Sequence, residues 1–115
     1  MYDKQLLKTN HAGIRLIAQT TIYNGADFER LRRFILDSYR DDLFARYSAD
    51  QWLQMFRNLY AEVGRLRVRQ VIAHDENHVV ILMEAENADG YYIHDLEVES
   101  DYPHKIIAYN QYPIG

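Results

Sequence analysis

RLRVRQVIAHDENHVVILMEAE, residues 65–86, decides the fold. Two strand-like runs flank a short polar break around Asp75 and Glu76, the way antiparallel neighbours are joined. Counted from the sequence, four such runs follow one another, at residues 65–73, 79–86, 91–99 and 104–112. Upstream of residue 65 the apolar spacing is helical. Helices followed by an unbroken meander specify an α+β domain, with the helices on one face of an antiparallel sheet. A helix-lined, half-open sheet is a scaffold that can carry a pocket.

Alternation assigns the two faces of the sheet, because strand side chains point up and down with period two. Val79, Ile81, Met83 and Ala85 form a continuous apolar row and define the inner face. Centring the first hairpin on Asp75-Glu76 adds Leu66, Val68, Gln70 and Ile72 to that face. The same register sets Arg65 opposite Glu86 and Arg67 opposite Glu84 on the outer face, where opposite charges stabilise a pair modestly. The third run contributes Tyr92, His94, Leu96 and Val98 inward, and the fourth Ile106, Ala108 and Asn110. Val71, Val80, Leu82, Ile93, Ile107 and Tyr109 then cluster on the outer face, and a contiguous apolar patch of that kind marks burial against another chain.

The helical half has its own punctuation. Residues 1–10 are weakly patterned and read as an accessory or frayed segment. Ile14, Ile17, Ala18 and Thr21 recur at helical spacing, and Asn24-Gly25 ends that helix. Asp27 caps the next, whose stripe is Phe28, Leu31, Ile35 and Tyr39 with Phe34 on the flank. Ser48-Ala49-Asp50-Gln51 fits a capping box, with Tyr47 and Trp52 spaced as a hydrophobic staple. Trp52, Met55, Phe56, Leu59, Tyr60 and Val63 give the third helix a wide apolar face, and Gly64 stops it. The predicted organisation is one domain over 1–115, helical over 11–64 and sheet over 65–113.

Composition excludes several function classes. Cysteine is absent, which removes disulfides, thiolate zinc sites and a cysteine nucleophile together. Residues 1–69 carry twelve Lys/Arg against eight Asp/Glu, while residues 70–115 carry one against nine. Phosphate-backbone binding needs a concentrated basic surface, so nucleic acid is not an expected partner. No run approaches the roughly 20 apolar residues that cross a bilayer, nor does a leader pattern open the sequence, so a cytoplasmic protein without a membrane partner is expected.

Two segments carry a family resemblance. Tyr23-Asn24-Gly25-Ala26-Asp27 resembles the break between the first two helices of the nuclear transport factor 2 superfamily. Leu96-Glu97-Val98 followed by Asp101-Tyr102-Pro103-His104-Lys105-Ile106 resembles the last two strands of small domains that precede the catalytic part of some bacterial serine-hydrolase-like (β-lactamase-related) proteins. The likeness spans residues 11–113. It implies a cystatin-like cone, three N-terminal helices packed on a curved four-stranded antiparallel sheet, and an accessory role in a bacterial protein. Hydrolase chemistry does not carry over, because Ser38, Ser48 and Ser100 are followed at the third position by Asp41, Gln51 and Pro103 rather than by a lysine. Other members of the superfamily are cyclases, dehydratases and isomerases with a carboxylate or histidine facing the cone's interior.

By parity no strand carboxylate faces inward, and His94 is the one titratable inner residue. Tyr39, Trp52, Tyr92 and His94 are the expected pocket residues, suited to a small apolar or aromatic ligand. His74 and His78 flank a flexible turn with no third ligand fixed, so neither a metal nor a cofactor is expected. The leading expectation is a non-catalytic ligand-binding or accessory module, a homodimer through Val80, Leu82, Ile93, Ile107 and Tyr109. Its rivals are a small cyclase- or isomerase-like enzyme using His94 as acid and base, and a purely structural interaction domain.

Overall fold

The computed structural model describes residues 4–114. Its elements are α1 (Lys4–Thr9), α2 (His11–Asn24), α3 (Phe28–Ser38), α4 (Asp41–Arg46), α5 (Ala49–Val63), β1 (Leu66–Asp75), β2 (His78–Ala85), β3 (Tyr91–Val98) and β4 (Ile106–Ile114). The strands form one antiparallel sheet in the order β1-β2-β3-β4. The architecture is α+β, but five helices stand where three were expected.

The two extra helices are short, six residues each. Helix α1 occupies part of the segment expected to be accessory or frayed, of which residues 1–3 lie outside the described residues. It buries Leu7 in the core and crosses α2 at Gly13, where any Cβ would collide with the Leu7 carbonyl. Asn10 joins the two, its side chain accepting from the Gly13 amide at 2.8 Å and donating to the Asp75 carbonyl. Helix α4 opens on Asp41 and Asp42 and ends on Arg46, charges that match the two ends of the helix dipole.

Helix α2 turns a different face inward from the one its aliphatic spacing suggested. Ala12, Leu16, Gln19 and Tyr23 are buried, and Ile14 is 49% exposed. The helix is apolar on both flanks, and the buried polar groups of Gln19 and Tyr23 find partners inside, so the polar labels mislead. Asp27 caps α3, accepting from the Arg30 amide at 3.1 Å. Tyr39 lies one residue past that helix, in extended backbone that forms a parallel bridge to Ile106. The capping box of α5 is present as read: Ser48 Oγ accepts from the Gln51 amide at 3.1 Å, and Gln51 Oε1 from the Ser48 amide at 2.8 Å. A cap of this kind contributes about 1 kcal/mol. Tyr47 and Trp52 meet edge to face with centroids 5.2 Å apart, completing the staple.

Three irregularities reshape the sheet. The predicted register holds for Leu66↔Ala85, Arg67↔Glu84 and Val68↔Met83, and shifts after Val68 and again after Val71. Arg65 and Glu86 form their ion pair, with Nε to Oε2 at 2.9 Å, and Arg67 pairs Glu84. Each shift inserts a residue and reverses parity. Gln70 and Ile72, expected inside, are therefore exposed, while Val71 packs against the core. The turn falls on Glu76-Asn77, with Asp75 opposite His78. A third shift between Glu97 and Val98 leaves Ile107 in a bulge and turns Tyr109 and Gln111 inward in place of Ala108 and Asn110. Pro113 lies within β4, which the sheet tolerates because β4 is an edge strand.

Tyr109, expected on the outer face, is thus 4% exposed and belongs to the core. Val80, Leu82 and Ile93 keep their outer positions. No helix among the described residues is long and apolar enough to cross a membrane.

Candidate ligand-binding site

Between α2, α5 and the inner face of β3 and β4 the core contains a chain of polar groups. The Tyr39 hydroxyl donates to Gln19 Oε1 at 2.6 Å. The Gln19 side chain is also a hydrogen-bond partner of the Tyr109 hydroxyl. Tyr109 Oη in turn lies 2.9 Å from His94 Nδ1. Burial pushes the Tyr39 and Tyr109 hydroxyls well above the usual phenol range and pulls His94 down from 6.5 to about 4. Every member is uncharged at neutral pH.

His94 is 2% exposed, and its Nε2 has no protein partner. A cavity of about 10 Å³ touches it, bounded also by Gln19, Thr20, Tyr23, Phe56, Leu66 and Tyr109. Such a space is at the threshold for holding a single water. Nothing the size of a substrate reaches the imidazole.

Phe56 and Tyr109 are shared walls. Their rings stack with centroids 5.9 Å apart, and on their other side opens a cleft of about 130 Å³. Arg46, Tyr47, Trp52, Met55, Asn110 and Gln111 complete its lining. Helix α4 delivers Arg46, the capped first two turns of α5 deliver Trp52, Met55 and Phe56, and the bulge in β4 turns Tyr109 and Gln111 into place. Trp52 is anchored by its indole Nε1–H, which donates to the Leu43 carbonyl at 3.1 Å. Gln111 Oε1 is buried without a protein donor.

Of the expected pocket residues only Trp52 lines this cleft. His94 is sealed behind Tyr109, Tyr39 is 1% exposed within the core, and Tyr92 packs beside Met83 and Pro113. Arg46, Gln111 and Tyr109 were not foreseen as pocket residues. A wider concavity of about 570 Å³ lies over Asn24, Arg65, Arg67, Glu84 and Glu86. Its arginines and glutamates neutralise one another in the two cross-strand ion pairs, leaving no unmatched charge to recognise a ligand.

Three of the histidines outside the core have local partners. His78 Nε2 lies 2.5 Å from Asp95 Oδ1. His104 stacks on His11 with centroids 3.8 Å apart, and its Nδ1 lies 3.1 Å from the Glu99 carbonyl oxygen. Among the described residues no group of three or more His, Asp or Glu is arranged to hold a metal ion. No protein-family model matches the chain, and neither a curated protein nor a solved structure does.

Proposed function

We propose that the chain is a non-catalytic small-ligand-binding module of the cystatin-like cone type, and that its site is the cleft between α4, α5 and β4. One observation carries this reading: the cleft is lined by four aromatic rings and by no histidine or carboxylate. Aromatic walls with a few convergent polar groups are what a binding site requires. General acid–base catalysis most often uses a histidine or carboxylate in contact with the substrate; His94 is enclosed behind Tyr109, and burial pushes the Tyr109 phenol further above its usual range. The helices on one face of the sheet and the bulges that bend β1 and β4 support the cone reading.

A panel of single-ring aromatic compounds followed by amide and side-chain NMR tests the assignment. Shifts are expected at the Trp52 indole, Tyr47 and the Gln111 side-chain amide, with His94 unmoved and every compound recovered unchanged. Shifts confined to the Arg65–Glu86 groove, or conversion of a compound, overturn it.

A second observation favours self-association through the outer sheet face. Leu82, Ile93 and Tyr112 stand side by side in register across β2, β3 and β4, and Tyr112 is 48% exposed. Packed about a twofold axis, this row supplies the centre of an isologous interface, with Val80 next to Leu82 on the same face of β2. Leu82→Lys is expected to yield a monomer in sedimentation where the parent chain is a dimer. A parent chain that sediments as a monomer at tens of micromolar, on the order of working concentrations for weak dimers, removes this reading.

A further inference from the structure

We infer that the cleft takes a single-ring aromatic acid bearing a hydrogen-bond donor on the ring; the inference rests on the cleft being the binding site. Size sets the first limit. At about 130 Å³ the space is comparable to apolar cavities of roughly 150 Å³ that accept a benzene-sized guest, so it seats one ring. Tyr47, Trp52, Phe56 and Tyr109 offer ring faces and edges that suit such a body.

An aromatic cage of this kind also suits a cation. Arg46 decides against one. Its guanidinium lies 5.7 Å from the Tyr47 ring centroid, on the lip of the cleft, and it forms no ion pair among the described residues. Asp42, one helical turn earlier, is held by Arg40 through contacts of 2.5 and 2.8 Å. Arg32 is likewise matched with Asp50, Arg65 with Glu86 and Arg67 with Glu84. An unmatched guanidinium beside aromatic walls repels a cationic ligand and recognises a carboxylate. The buried Gln111 Oε1 supplies the complementary requirement, because an acceptor without a partner is satisfied by a ligand N–H or O–H.

Trp52 is the only tryptophan of the chain and lines the cleft, so its fluorescence reports occupancy directly. The full chain is titrated with 4-hydroxybenzoate, benzoate, phenol and tyramine. Saturable quenching by 4-hydroxybenzoate is expected, with benzoate and phenol each weaker by about tenfold, the effect of one lost charge-assisted or buried hydrogen bond. Tyramine should be weakest. Arg46→Gln should remove the preference for 4-hydroxybenzoate over phenol, and Gln111→Leu should remove the preference over benzoate. Arg46 is an exposed helix-end residue, so its variant keeps the fold. Equal binding of all four compounds, or an Arg46→Gln variant that retains the preference, overturns the ligand class and leaves the cleft as a site. No saturable response to any compound overturns both.

Discussion

Trp52→Ala is expected to cost about 3–5 kcal/mol of folding free energy, the range for truncating a buried aromatic side chain. Trp52 is 4% exposed and joins three parts of the molecule. Its ring meets Tyr39 edge to face at 5.4 Å, Tyr47 at 5.2 Å and Tyr109 at 6.3 Å. Its indole N–H bonds the Leu43 carbonyl and so ties α4 to α5. Truncation removes the packing, undoes the staple at the start of α5 and strips the Leu43 carbonyl of a donor at once. For a domain whose whole stability is of order 5–15 kcal/mol, that is a large share. Urea melts with an unchanged slope and a much lower midpoint are the expected record. Trp52→Phe should fall between the two, since it keeps a ring and loses the N–H. A Trp52→Ala loss below about 1 kcal/mol, the scale of an ordinary surface change, contradicts the role given to this residue.

The elements that were legible in the sequence share a cause. The start of α5 is written in contiguous residues, Ser48 through Trp52, so the cap and staple could be read without knowing anything distant. The first pairs of the β1–β2 hairpin were legible because hydrophobic parity and the charge pairs Arg65–Glu86 and Arg67–Glu84 agree on one register. Parity fails where a residue is inserted. Nothing in Arg69-Gln70 or Ile107-Ala108 announces a bulge, yet one extra residue exchanges the faces, in β1 until a second shift after Val71 restores them and in β4 for the rest of the strand. That exchange moved Tyr109 from a predicted interface to the core, and with it Gln111 to the cleft. Gln19 was missed for a different reason. A glutamine counts as polar in any periodicity, whereas this one is 1% exposed because Tyr39 and Tyr109 satisfy its amide. Helix α4 is too short for a period to register, so Arg46 had no visible place.

The buried position of His94 makes acidification the other large perturbation. Between pH 6.5 and about 4 the chain is expected to lose about 3 kcal/mol of stability through this one residue. The direction follows from proton binding in the two states. The unfolded chain protonates His94 below its ordinary value of 6.5, while the folded chain, which would have to bury a charge, refuses the proton down to about 4. In that window the unfolded state holds more protons, so stability rises with pH; it is complete above 6.5 and falls as pH drops toward 4. The polar groups around the imidazole are Tyr109, Gln19, Thr20 and Tyr23, all neutral there, so no neighbouring charge opposes the loss. Arg67 and Arg65 hold Glu84 and Glu86 below their usual 4.5, and those exposed pairs weaken only at more acid pH. His94→Gln is expected to start less stable near neutral pH, because the Tyr109 hydroxyl loses its imidazole partner, and to show a flatter profile between pH 4 and 6.5. In an NMR titration the His94 ring signals should not move until the protein approaches pH 4. Free titration near 6.5 would mean that solvent and substrates reach the imidazole, and would return His94 to the role of acid and base.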